Sequence, residues 1–87
     1  MTKTIKIIYY VHPYDNTKGS LMAFPSEKDL RDKETCKEIA NVLHEANFGS
    51  QNVCAIIAWE LAHNGSSKTF CKMGEYEFGI EETELFT

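Results

Sequence analysis

The sequence lacks the long apolar segment, the dense cysteine pattern and the glycine-rich loop that would each indicate a familiar class of protein. No apolar run approaches the roughly 18 residues that a membrane-spanning helix needs, so we expect no membrane partner. Met1 is not followed by the apolar core of a signal peptide, which predicts a cytoplasmic protein. Lys18-Gly19-Ser20 has no upstream glycine, so it is no P-loop, and no dinucleotide-binding signature occurs.

Cysteine is sparse and widely spaced in this chain. Cys36, Cys54 and Cys71 are separated by 18 and 17 positions, whereas zinc sites use close pairs such as Cys-x-x-Cys. An odd number of cysteines without an export signal predicts free thiols in a reducing compartment. We therefore expect cysteines that pack as small apolar residues, and no metal or cofactor.

Positive charge is also in short supply, and it is unevenly distributed. The chain has 9 Lys and Arg against 13 Asp and Glu, a net charge of −4, which argues against direct nucleic-acid binding. Residues 1–33 carry a net charge of +2, and residues 34–87 carry −6. With 87 residues and 43% hydrophobic composition, the chain suits one compact domain over residues 1–87.

The first half of the chain predicts a β-hairpin followed by a long helix. Residues 5–11 are β-branched and aromatic, which is typical of a central strand buried on both faces. Residues 20–24 follow turn-forming residues and predict a second strand. Ser26 is placed to cap an amphipathic helix over about residues 27–46, with Asn47 or Gly49 as the left-handed residue that ends it.

Residues 53–63 fit two structures. As a strand, alternation places Ile57 and Trp59 on one face, and Asn64-Gly65 is a favoured hairpin turn. As a helix, the segment begins after Asn52 as N-cap and ends at Gly65, and its alanine content favours this interpretation. Trp59 is expected in the core, or at an interface if the segment is a surface helix.

The C-terminal third predicts two more strands, residues 68–73 and 75–81. In the second strand, aromatic and aliphatic side chains alternate with glutamates, which predicts one buried face and one carboxylate-bearing face. A short acidic tail is expected from about residue 82. The predicted fold is therefore a small α+β domain with an antiparallel sheet and one long amphipathic helix. Residues 53–63 add a second helix in the favoured interpretation, and a strand in the other.

The glutamates near the C terminus are the most informative functional pattern. Such a surface either keeps the domain soluble or recognises a basic groove of a partner protein through charge complementarity. Small size, acidity and absent motifs resemble the accessory proteins of bacteriophages and other mobile elements, so we expect a protein-binding inhibitor of a nucleic-acid-handling protein. The predicted partner-binding residues, carboxylates with aromatic anchors, are Glu75, Tyr76, Glu77, Glu81, Glu82, Glu84, Tyr10, Tyr14 and Asp15.

Other functions have weaker support in the sequence. His12 and Asp15 are close enough to form a proton-transfer pair, but the histidines are scattered and no catalytic residue is predicted. A nucleic-acid-binding domain could use Tyr9, Tyr10 and the N-terminal lysines. A self-assembling protein could pair its C-terminal strands across a two-fold axis, although facing glutamates would repel.

Overall fold

Six elements of secondary structure make up the part of the chain that the computed structural model describes, residues 2–71 and 74–86. They are β1 (Thr2–Val11), β2 (Lys18–Pro25), α1 (Lys33–Glu45), α2 (Gln51–Asn64), β3 (Ser66–Cys71) and β4 (Gly74–Phe86). The strands form one antiparallel sheet in the order β2-β1-β4-β3, and both helices share its hydrophobic core. The predicted α+β domain is confirmed, as are its N-terminal hairpin and the helix at residues 53–63.

β1 and β4 lie side by side in the centre of the sheet. Their pairing runs from Thr2 opposite Phe86 to Val11 opposite Glu77. The predicted acidic tail is therefore wrong, because residues 82–86 belong to β4. β1 supplies backbone partners for these residues, and this overrides the low strand propensity of glutamate. The predicted strand 68–73 corresponds to β3, and its last two residues lie outside the described part of the chain.

The helices cover one face of the sheet, and the core lies between these two layers. Alternation along the central strands turns Ile8 of β1 and Phe78 of β4 toward the helices, where they are 0% and 2% exposed. α1 contributes Ile39 and Leu43, and α2 contributes buried residues on its sheet-facing side. The other buried members of this core are Leu30, Phe48, Cys54, Ile57, Ala58, Leu61 and Tyr76.

The opposite face of the sheet, which we call the open face, is not covered by any described element. The intervening residues of β1, Ile5, Ile7, Tyr9 and Val11, lie there and are only half-buried. The prediction that β1 is buried on both faces is therefore wrong, although its central position is confirmed. Apolar residues on both sides of a strand are typical of a two-sided core, and here one side stays exposed.

α1 begins later than predicted. Its N-cap is Asp32, whose carboxylate accepts hydrogen bonds from the backbone N–H and hydroxyl of Thr35, each at 3.2 Å. The segment after Ser26 forms turns instead, because the Asp29 side chain accepts a hydrogen bond from the Arg31 N–H at 3.0 Å. Asn47, with φ of 65°, provides the expected left-handed residue after the helix.

α2 begins two residues before the predicted segment 53–63 and ends one residue after it. The hydroxyl of Ser50, rather than Asn52, accepts the capping hydrogen bond from the Val53 N–H at 3.3 Å. Gly65 ends the helix in a left-handed conformation with φ of 81°, as expected. Trp59 is 55% exposed, so the core prediction is wrong and the surface-helix alternative holds. Neither described helix has the length and apolar character that crossing a bilayer requires.

Candidate binding surfaces

The glutamates of β4 are divided between the two sides of the sheet. Alternation places Glu75, Glu77 and Glu81 on the open face, all exposed, while Tyr76 and Phe78 between them are buried. The predicted division into a buried face and a carboxylate-bearing face is thus confirmed. Glu82 and Glu84 lie on the helix side of the strand, but they are exposed.

Two of the three open-face glutamates are already paired with lysines of other strands, one on β2 and one on β3. Lys18 Nζ is 2.6 Å from Glu81 Oε2, and this hydrogen bond raises the pKa of Lys18. Lys68 Nζ is 3.4 Å from Glu77 Oε1. Lys18 Nζ also lies 4.1 Å from the centroid of the Tyr9 ring, which is a cation–π distance. The middle of the open face is therefore a mixed, internally compensated surface.

The remaining glutamates of β4, Glu75, Glu82 and Glu84, make no ion pair with any described residue. We call these three residues the unpaired glutamates. Lys6 stands opposite Glu82 in the ladder, but its Nζ donates to the carbonyl of Lys28 at 3.3 Å. The unpaired glutamates are thus exposed carboxylates that no lysine or arginine of the described chain neutralises in an ion pair.

The predicted aromatic anchors Tyr10 and Tyr76 belong to an aromatic cluster inside the domain. The Tyr10 ring centroid is 5.3 Å from that of Phe48, and Tyr76 lies 5.2 Å from Phe48 in an edge-on arrangement. Tyr76 is 7% exposed and so has little surface to offer a partner. Phe48 joins the two tyrosines to Phe78, which it meets edge-on at 5.2 Å. The cluster stabilises the packing of the helices on the sheet.

The other predicted residues, Tyr14 and Asp15, lie in the exposed β1–β2 turn. Asp15 Oδ1 is 3.4 Å from His12 Nδ1, and it accepts a hydrogen bond from the Thr17 N–H at 2.9 Å. The hydrogen bonds from Thr17 lower the pKa of Asp15. His12 Nδ1 in turn accepts the Tyr14 N–H at 3.3 Å. These contacts stabilise the turn. The Asp15 carboxylate accepts a backbone hydrogen bond within it, which is the usual role of aspartate in a turn and gives no support to a role in proton transfer.

The described thiols are poorly suited to nucleophilic chemistry. Cys36 Sγ donates to the Leu30 carbonyl at 3.0 Å, and burial raises the pKa of Cys36, with the carboxylates of Asp32 and Asp29 adding to the effect. Burial also raises the pKa of Cys54. Both groups therefore stay protonated at neutral pH. No cluster of metal-ligating side chains occurs among the described residues.

An apolar groove between the two helices was not predicted. It encloses about 310 Å³ and is lined by Lys33, Cys36, Lys37, Ala40, Ala55 and Trp59. Trp59 stacks on His63 with ring centroids 4.3 Å apart, and the neighbouring Ile56 is 58% exposed. The sequence feature that could have indicated this groove is the surface-helix interpretation of residues 53–63, because a surface helix leaves Trp59 exposed as an interface anchor.

A second unpredicted feature is the edge of β4 beyond the end of β3. The β3–β4 ladder stops at Ser66 opposite Gly79, whereas β4 continues to Phe86. A cavity of about 340 Å³ opens beside this edge, and Ile80, Leu61 and Lys6 are among its lining residues. Sequence reasoning missed this edge because it ended the strand at residue 81.

No known protein family, curated protein or solved structure matches the chain. Surface chemistry is then the guide to function. In the alternative of nucleic-acid binding, Tyr9 and Tyr10 would stack bases together, but Tyr9 lies on the open face and Tyr10 packs against Phe48 on the helix side. Because Lys3 and Lys6 also alternate between the two faces, these residues do not form one common platform.

Proposed function

We propose that this protein is a small cytoplasmic binding module that inhibits a partner protein by covering a basic surface with its β4 glutamates. The observation that carries the proposal is the set of unpaired glutamates, which are exposed on one strand without an ion pair in the described chain. A partner that presents lysine or arginine would supply the missing cations. Such complementarity speeds association and selects the partner.

The chemistry of the partner follows from this charge. A groove lined with lysine and arginine is typical of proteins that bind nucleic acid through phosphate contacts. An acidic protein seated in that groove would compete with the nucleic acid, and this competition is the proposed inhibition. Solvation of an exposed strand is the competing explanation for the same glutamates.

Substitution of the unpaired glutamates tests the proposal. The triple variant Glu75→Gln, Glu82→Gln, Glu84→Gln removes three negative charges without breaking an ion pair of the described chain. We expect a partner captured by the immobilised wild type from nuclease-treated bacterial lysate to be lost with this variant. The measurement is quantitative mass spectrometry of the eluates at low and high salt, because screening by salt weakens exposed charge pairs.

A matched control separates local recognition from net charge. The variant Glu27→Gln, Glu38→Gln, Glu45→Gln changes the net charge by the same amount at exposed positions outside β4. It should capture the partner like the wild type. Equal capture by both triple variants, or no protein enriched above bare resin, would contradict the proposal and leave the glutamates as a solvated face.

A further inference from the structure

The end of β4 is an open strand edge. Residues Ile80–Phe86 pair with β1 on one side, and no strand of the described chain lies on the other side once the ladder with β3 ends at Gly79. In an antiparallel ladder, alternate residues direct their N–H and C=O groups to opposite neighbours. Half of the backbone groups in this segment therefore point to an unoccupied position, which is a template for another strand.

A cavity lies beside this edge on the helix side of the sheet. Its apolar lining comes from Ile80, Leu30, Leu61 and Ala62, and Lys6, Asp29, Arg31 and Gly65 complete it. Gly65 ends α2 with φ of 81° and starts the chain toward β3. The volume of about 340 Å³ has room for one large side chain beside the strand edge.

We infer that an extended, basic segment of a partner protein pairs with Ile80–Phe86 as an added strand antiparallel to β4. This inference rests on the proposed function and specifies how the partner binds. Ile80, Glu82 and Glu84 share the helix side of β4, two residues apart. An added strand would place an apolar side chain beside Ile80, at the cavity, and a lysine or arginine beside each glutamate.

Charge argues against a second copy of this chain as the occupant. Two-fold pairing centred on Thr83 would set Glu82 directly opposite Glu84 of the other copy, and facing like charges destabilise a sheet. The edge of β2 is also less suitable for an added strand. It carries an irregularity in its pairing with β1 near Leu21, and it ends at Pro25, and both features protect edge strands against pairing.

A short peptide tests the inference directly. The probe is the acetylated and amidated heptapeptide Thr-Thr-Lys-Thr-Lys-Thr-Leu, titrated into the ¹⁵N-labelled protein. Antiparallel to Ile80–Phe86, it places its leucine opposite Ile80 and its lysines opposite Glu82 and Glu84, and it stops short of Gly79, which pairs with Ser66. We expect backbone amide shifts concentrated at residues 80–86. A series of peptides, each methylated at one backbone nitrogen, should then be compared. Methylation at every second position should abolish binding, and methylation at the positions between should not, because only alternate N–H groups face β4.

Charge variants complete the test. The double variant Glu82→Gln, Glu84→Gln should weaken the peptide about fivefold, as expected for two cross-strand charge pairs, and Glu38→Gln, Glu45→Gln should not. Amide shifts that avoid residues 80–86, or no shifts at millimolar peptide, would overturn the inference. The inference would also be overturned if peptides methylated at each position all bound equally well. If that binding were still lost with Glu82→Gln, Glu84→Gln, the proposed function would remain supported while the strand pairing would not. A dimer detected by light scattering, together with slowed hydrogen exchange of the backbone amides of residues 80–86, would identify a second copy as the occupant instead.

Discussion

At the scale of single residues, two glycines determine where two adjacent tyrosine rings lie. A Cβ at Gly79 would lie 2.5 Å from the Tyr9 hydroxyl on the open face, and a Cβ at Gly19 would overlap the Tyr10 ring on the helix side. The neighbourhoods differ. Tyr9 can turn into solvent at the loss of its contact with Lys18, whereas Tyr10 is held against Phe48.

We therefore expect Gly19→Ala to be the more destabilising of the two substitutions. It should lower the free energy of unfolding by about 1–3 kcal/mol, because overpacking displaces a ring of the aromatic cluster. Gly79→Ala should cost about 1 kcal/mol or less, the scale of the cation–π contact that is lost. Urea denaturation of both variants measures the difference, and equal losses would show that Tyr9 is held as firmly as Tyr10.

At the scale of elements, the start of α1 depends on which side chain meets the free N–H groups of its first turn. Ser26 has the sequence position of a cap, yet its Oγ is buried with no hydrogen-bond partner among the described residues. Asp32 accepts from Thr35 instead. The helix is capped by Asp32 rather than Ser26 because the Asp29 side chain accepts a hydrogen bond from the Arg31 N–H, which stabilises a turn in the segment between them.

Alanine substitutions distinguish these two caps. Asp32→Ala should lower the free energy of unfolding by about 1 kcal/mol, the usual loss for a capping side chain. Ser26→Ala should be neutral or stabilising, because it removes a buried hydroxyl that has no partner. Thermal unfolding followed by circular dichroism is the measurement, with Thr35→Ser as a control that keeps the hydroxyl. A larger loss of unfolding free energy with Ser26→Ala than with Asp32→Ala would instead support a helix that starts after Ser26.

At the scale of the whole molecule, the two-layer arrangement makes neighbouring residues of β1 unequal. Ile8 is fully buried under the helices, and Ile7 lies half-buried on the open face. The same layering leaves Trp59 exposed on the outer side of α2. Surfaces available to partners thus lie on both outer sides of the molecule, and the helix groove carries lysines whereas β4 carries glutamates.

Truncation of the two isoleucines tests the layering. Ile8→Ala should lower the free energy of unfolding by about 2–5 kcal/mol, because it leaves a cavity in the core. Ile7→Ala should cost about 1 kcal/mol or less, since its side chain already contacts water. Guanidinium denaturation of the two variants provides the comparison. Similar losses would mean that something covers the open face in solution, for example a second copy.

Local patterns in the sequence determined the α+β class, the N-terminal hairpin, the left-handed residues Asn47 and Gly65, and the alternation of glutamate with aromatic residues in β4. These features depend on neighbouring residues only: period-two alternation, turn chemistry and the conformational freedom of glycine and asparagine. The candidate glutamates were accordingly visible from the sequence.

Tertiary structure alone decided which glutamates are paired, which strand faces are covered and where β4 has an open edge. Lys18 meets Glu81, and Lys68 meets Glu77, only because the sheet order β2-β1-β4-β3 brings distant segments together. The length of β4 likewise depends on β1, which supplies partners as far as Phe86. Register between distant strands is a property of the whole sheet, and a local pattern does not contain it.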